Sequence, residues 1–300
     1  MSKLNFKTPV FIDSIGWYLP NLPNPMIVNS SNCIYDNNTL DAYIDCSFNN
    51  LKNLQIPSNI QVDNSVIRGT GLERSRSSSH ANKIAAILIK ALVSTRPNLD
   101  NNGLLSISKS SVASIAYDFE TIGTKNGWDL TDPFGLPNSI PTALATSLAK
   151  LIPHTDVAYS FCGGVIEWFS AIENAYYMLH NNRVRNVVII CAEQLNNFQL
   201  DALNKIKPNS FNFEGASFLL LSNQTLREDN LCQIKGIKNN IDTENKYPII
   251  NYNLSDPESH TSSILLPIII LKQIFEINSI HFGLSFKKSN GIYRSIFLSK

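Results

Sequence analysis

Cys162-Gly163-Gly164 is the stretch of this chain whose residue types and spacing can do chemistry. TDVAYSF (155–161) before it reads as a buried strand. VIEWFSAIENAYYMLHNN (165–182) after it reads as a helix, with Ile166, Phe169, Ile172 and Tyr176 on one face. A tight turn of small residues between strand and helix holds its side chain above the sheet. The backbone N–H groups and the helix N-terminus favour negative charge there. A cysteine so placed can act as a nucleophile. The plainer reading is ordinary α/β construction, in which Cys162 only packs. His260, in ESHTSS, is the second candidate. It reads either as a helper at an active site or as a neighbour of the helix-capping Thr261 and Ser262.

The elements that must position these residues can be read from periodicity. NVVIICAE (186–193) is a second buried strand, so 155–193 is a strand–turn–helix–strand unit, which implies parallel strands and a right-handed crossover. Runs 155–161 and 186–192 are expected as neighbouring or next-neighbouring parallel strands, buried on both faces. PVFIDSIG (9–16) opens the chain as a strand. A loop rich in Pro and Asn follows, with a short helix near 39–46. HANKIAAILIKALVST (80–95) is a helix closed by Pro97, SVASIAYDF (111–119) a buried strand, and 140–151 a helix. ASFLLLSN (216–223) and LCQIKGI (231–237) are strands joined by a polar turn. A short helix spans 262–275, and strands 279–286 and 292–299 form a hairpin through KKSNG. No internal repeat is visible. The fold class is α/β.

Composition removes several functions. The chain has 300 residues, 43% of them apolar, which is enough for a large core and excludes global disorder. A net charge of +1 argues against a grip on nucleic-acid phosphates. Five cysteines without a C-x-x-C pair read as a reducing compartment, and the histidines show no metal spacing. The N-terminus carries no signal-peptide stretch, and the longest apolar run, 264–271, is too short to span a bilayer. A cytoplasmic protein with no membrane or nucleic-acid partner is expected.

With these elements in order, the run DPFGLPNSIPTALATSLAKLIPHTDVAYSFCGGVIEWFSAIENAYYMLHNNRVRNVVIICAEQ resembles the nucleophile region of β-ketoacyl synthases and related condensing enzymes. In that family a buried strand delivers a cysteine in a turn of small residues. A helix and an apolar strand ending in Gly-Gly-Ala-Glu or similar follow, here Cys191-Ala192-Glu193. FEGASFLLLS (213–222) resembles the family's Gly-Glu-Gly-Ala strand, and PVFIDSIGWYLP its opening strand. Arg74–Lys90 resembles the approach to its first long helix. ESHTSSILLPIIILKQIF (258–275) resembles its Gly-His-x-x-x-Ala-Ala-Gly helix, and HFGLSF (281–286) its closing Phe-Gly-Phe-Gly-Gly loop. The pieces stand in family order and span nearly the whole chain.

The resemblance implies a thiolase-like layered αβαβα arrangement, with residues 1–230 as a nearly complete first half and 231–300 as a truncated second half packed on the same core. Departures bear on activity. Between Gly164 and Glu193 the chain carries about one helical turn more than the family pattern, so Cys162, Phe161 or Val165 can stand at the nucleophile position. The His-Gly-Thr-Gly-Thr motif is missing, Ser255 stands where the family has lysine, and His260 alone matches the second histidine. Decarboxylative condensation needs a thiolate and donors that stabilise the enolate, and each lost oxyanion donor costs on the order of 10²–10³ in rate. The resemblance thus implies a catalytically degenerate subunit, similar to a chain-length factor. Such a subunit pairs with a complete ketosynthase and shapes its acyl tunnel in polyketide, aryl polyene or fatty-acid-like assembly. The alternative is a cysteine-dependent condensing or acyl-transfer enzyme using Cys162 with His260. No bound cofactor is expected beyond acyl-phosphopantetheine on an acyl carrier protein, as substrate or ligand. Trp168, Phe169, Tyr176 and Tyr177 read as core and partner interface. Arg74 and Arg76 read as a solvated face or a contact for the carrier, and His281 as a strand residue.

Overall fold

The computed structural model describes residues 4–19, 24–29, 62, 67–68, 72, 79–109, 111–131, 140–194, 214–223, 231–239, 249–252, 262–277, 279–287 and 293–300. In chain order the elements are β1 (Leu4–Tyr18), β2 (Met26–Asn29), α1 (His80–Thr95), β3 (Asn102–Ser108), α2 (Ser111–Asn126), α3 (Thr142–Ala149), β4 (Thr155–Cys162), α4 (Val165–His180) and β5 (Asn186–Glu193). They continue as β6 (Gly215–Ser222), β7 (Cys232–Asn239), β8 (Ile249–Tyr252), α5 (Ser262–Glu276), β9 (His281–Lys287) and β10 (Tyr293–Ser299).

The strands form one mixed sheet in the order β4-β3-β5-β6-β1-β7-β10-β9-β8, with β2 paired to β1 off this path. β3 runs parallel to β4 and β5, β5 antiparallel to β6, and β6 antiparallel to β1. The other side repeats the pattern. β8 runs parallel to β9, β9 antiparallel to β10, and β10 antiparallel to β7. The two leading strands, β1 and β7, pair antiparallel between the half-sheets. The chain is thus a topological duplication that its residue pattern does not reveal, because what recurs is strand order and direction. Among the described residues, nothing in the second half-sheet corresponds to β4.

Two apolar cores fix the layers. α1 and α3 cover the outer face of the first half-sheet through Ile84, Leu88, Leu92, Leu144 and Leu148 against Leu104, Val188, Ile190 and Leu220. α4 and α5 lie in a central layer. They pack on Leu105, Ile107 and Ile189 of the first half-sheet and on Ile234, Phe282, Ile296 and Leu298 of the second. The outer, first-sheet, central and second-sheet layers follow the order of a thiolase-like stack.

Helix α1 matches its expected span and starts at Ser79, whose Oγ accepts the Asn82 N–H at 3.1 Å. The hairpin of β9 and β10 also forms as expected. Runs 155–161 and 186–192 are parallel next-neighbours, with β3 between them. The strands expected at 216–223 and 231–237 form as β6 and β7, with β1 between them in the sheet. Two expectations are corrected. SVASIAYDF is the first part of helix α2, and the buried strand lies earlier, at Asn102–Ser108. β5 is buried along its whole length, but β4 is the sheet's edge and is largely exposed or half-buried. The expected short helix near 39–46 lies outside the described residues.

Candidate active site

Cys162 ends β4 and is exposed. Phe161 packs partly into the central core, and Val165, the first residue of α4, is fully buried. Of the three positions left open by the family pattern, only Cys162 presents a nucleophilic group to solvent. The Gly163 N–H donates to the Ser108 carbonyl at 3.1 Å, so the β3–β4 ladder runs one residue past the strand. That N–H is spent and cannot serve as an oxyanion donor. Gly163 is also a site of close approach: a Cβ there would collide with Glu167 Cγ and lie 3.2 Å from Glu167 Oε1. The Glu167 carboxylate therefore folds back over the turn, into the region where the helix N-terminus would otherwise favour a substrate's negative charge.

Strand register places the neighbours of Cys162. Ser106 pairs with Ser160 and Ser108 with Cys162, so all four share the outer face of the sheet. The first pair is closed by a 2.8 Å hydrogen bond between the hydroxyls. In the second pair Ser108 Oγ is buried and has no hydrogen-bond partner. From β3 the chain reaches β4 by way of α3 on the outer face, and from β4 it reaches β5 by way of α4 on the inner face. The carboxyl end of β3 is therefore where the connections part to opposite faces, the position at which open α/β sheets take ligands.

Other polar groups at this end of the sheet hold the strand ends together. Lys109 N–H donates to the Glu193 carboxylate, and Ala81 N–H to Gln194 Oε1 at 2.9 Å. His80 Nε2 lies 2.9 Å from Glu214 Oε2, on a carboxylate that is 2% exposed. Cys191 points the other way, into the central layer. Burial, reinforced by the Glu193 charge, pushes its thiol well up, and a side-chain hydrogen bond to Ser263 only partly offsets this. Cys191 is therefore an inert packing cysteine. Burial also pushes up the Cys232 thiol.

The first turns of α4 and α5 meet beside this end of the sheet. Pro267 has no N–H, so the Ser263 carbonyl four residues earlier lacks its helical donor. The indole N–H of the fully buried Trp168 donates to that carbonyl at 2.7 Å. Sequence reading assigned Trp168 to the core but missed this bond, whose one visible sign was a proline inside a helical pattern.

His260, Ser255, Arg74 and Arg76 lie outside the described residues. His281 opens β9, as expected of a strand residue. Among the described residues, no group of His, Cys, Asp or Glu is arranged to hold a metal, and no helix is long and apolar enough to cross a membrane.

No protein-family model matches the chain, and no curated protein matches it. Solved structures do. One is AntDE:AntF, a type II polyketide synthase acyl-carrier protein in complex with its ketosynthase bound to the hexaketide. It aligns with a TM-score of 0.68 at 13% identity over 98% of this chain and 99% of that one. A β-ketoacyl synthase from Burkholderia phymatum STM815 gives 0.68 at 9% identity, over 98% and 99% of the two chains. The chain has the thiolase-like fold of the ketosynthases. The ishigamide ketosynthase/chain length factor aligns with the same thiolase-like fold at 0.64 and 10% identity, over 97% and 99%. At these identities the likeness shows the fold.

Proposed function

We propose that this protein is a ketosynthase-like subunit that pairs with a complete ketosynthase and shapes its acyl tunnel, in polyketide, aryl polyene or fatty-acid-like assembly on an acyl carrier protein. The observation that carries the reading is β4. Among the described residues β4 is the edge of the sheet and ends in the candidate nucleophile turn, and isolated proteins ordinarily protect such edges. Exposed apolar side chains support it. Among the described residues, six of the seven large exposed apolar side chains, Ile122, Trp128, Leu130, Ile140, Tyr159 and Tyr177, fall between Ser111 and His180, and only Ile280 lies elsewhere. The similar structures include a ketosynthase/chain length factor and a ketosynthase with its carrier protein. The missing His-Gly-Thr-Gly-Thr motif, Ser255 in place of lysine and the Glu167 carboxylate over the turn argue against condensation. Acyl-phosphopantetheine on the carrier is then the ligand of the pair.

Co-expression with each complete ketosynthase encoded beside this gene tests the reading. A stable complex that buries more than ~1,000 Å² and is lost in Tyr159→Asp is expected. A chain that stays monomeric beside every such partner overturns it.

The exposure of Cys162 favours a second reading. Losing the enolate-stabilising histidines removes condensation but leaves thioester exchange, which needs only a nucleophilic sulfur and a thiol leaving group. On this reading Cys162 accepts an acyl group, and a mass shift absent in Cys162→Ala would show it.

A further inference from the structure

The rung formed by Ser108 and Cys162 is built for a polar atom that neither residue supplies. One rung earlier on the same face, the Ser106 and Ser160 hydroxyls satisfy each other at 2.8 Å. At the next rung the partner strand offers a thiol instead of a hydroxyl, and Ser108 Oγ is left buried and unpaired. Ser108 is 5% exposed, so water does not readily replace the missing partner. A buried hydroxyl without a partner is destabilising, and a catalytic or ligand-binding role is one reason such a group is kept. Neighbouring strands lie about 4.8 Å apart, so the first atoms attached to the Cys162 sulfur come within reach of the Ser108 hydroxyl.

We propose that Ser108 is the hydrogen-bond donor for the carbonyl oxygen of an acyl group carried as a thioester on Cys162. The inference rests on the reading in which Cys162 accepts an acyl group. In the transfer, the Cys162 sulfur attacks the carbonyl carbon of an acyl thioester. The new C–S bond forms as the C–S bond to the carrier thiol breaks. The departing sulfur leaves with its electron pair and takes up the proton given up by Cys162. Ser108 holds the carbonyl oxygen through the tetrahedral intermediate and in the product. Gly163 N–H, the donor a turn of this kind would normally offer, is already committed to the Ser108 carbonyl. Ser108 thus contributes its carbonyl to the turn and its hydroxyl to the acyl group.

The test uses the full chain with hexanoyl-N-acetylcysteamine as acyl donor, read by intact-protein mass spectrometry. Wild type should form an adduct that Cys162→Ala lacks. In Ser108→Ala, acylation should be slower by about 3–10-fold, the worth of one ordinary hydrogen bond, and the adduct should break down no faster than in wild type. Ser108→Thr should behave like wild type. Iodoacetamide alkylation, which offers no thioester carbonyl to hold, should proceed at the same rate in wild type and Ser108→Ala. Removing an unpaired hydroxyl should leave the melting temperature of Ser108→Ala unchanged or higher. Equal acylation rates in wild type and Ser108→Ala, or faster breakdown of the Ser108→Ala adduct, overturn the role of Ser108 while Cys162 acylation stands. A lower melting temperature in Ser108→Ala shows that the hydroxyl serves the fold and also overturns it. No adduct on wild type overturns the acyl-accepting reading and this inference together, and leaves pairing with a ketosynthase to its own test.

Discussion

Asp13 sits in β1 at the bulge between Ile12 and Ser14, with its Oδ1 buried and unbonded. Burial raises its carboxyl to about 6, while a hydrogen bond from the Ser222 side chain and the Arg96 charge pull the other way. The folded protein therefore keeps a proton on Asp13 to higher pH than the unfolded chain does. Its contribution to stability is most favourable below about pH 4 and is lost as the pH rises through about 6, a swing of at most ~3 kcal/mol. Asp13→Asn should raise the unfolding free energy by ~1–3 kcal/mol at pH 7.5 and leave it nearly unchanged at pH 4. Urea titrations at the two pH values check this, and an equal gain at both would rule it out. At this scale the sequence showed Cys162, because two glycines and a following helical pattern mark a turn. It did not show Ser108. In NGLLSISKSS a serine with a missing partner looks like any other, and only the register of β3 against β4 separates Ser108 from Ser106.

Among the elements, α4 and α5 were readable from their apolar periodicity, but what pins them together was not. Trp168→Phe keeps most of the ring packing and removes the indole N–H from the buried Ser263 carbonyl. It should lower stability by ~1–3 kcal/mol, the usual penalty for taking a partner from a buried polar group. In the Pro267→Ala background, where the helix supplies its own N–H, the same substitution should cost less. Denaturant midpoints of the two single variants and the double variant measure this coupling, and simple additivity would dismiss it. α2 was misread because SVASIAYDF is a short apolar run, and such a run fits a strand or a buried helix turn equally well. β4 was misread for a different reason. TDVAYSF was read as a near-continuous apolar run, but Thr155, Asp156 and Ser160 are polar, as suits an edge strand and not the fully buried β5.

For the whole molecule, the duplicated half-sheets meet across the central helices, and Arg294 of β10 is a tie between them. Its guanidinium, 8% exposed as a residue, reaches Glu173 Oε1 at 2.6 Å and Ser170 Oγ at 3.0 Å on α4, and its Cζ stands 5.6 Å from the centre of the Phe169 ring. Arg294→Ala leaves the partly exposed Glu173 without its cation and should cost ~1–3 kcal/mol, the range for hydrogen bonds to charged groups. Arg294→Met, which keeps the packing, combined with Glu173→Gln should recover much of that loss in thermal or chemical unfolding. If the double variant is as unstable as Arg294→Ala, the ion pair is not the source. The α/β class was readable from strand–helix alternation. The duplication was not, because it lives in pairing and direction and not in residue types.

One consequence of the sheet order concerns synthesis on the ribosome. β1 pairs with β6 through residues 11–18 and with β7 through residues 4–5 and 10–12. Both partners emerge about 200 residues after it, which at ~5–20 residues per second is roughly 10–40 s. Until then, among the described strands, only the four-residue β2 can pair with it, while helices α1 and α4 are made in time to pack against it. Val10, Ile12, Ile15 and Trp17, all fully buried in the finished protein, share the central core with α4 and α5 and lack their final packing until those helices are made. The first strand made is among the last to be completed, so the nascent chain should lean on trigger-type chaperones, and slowing its translation should lower the yield of folded protein.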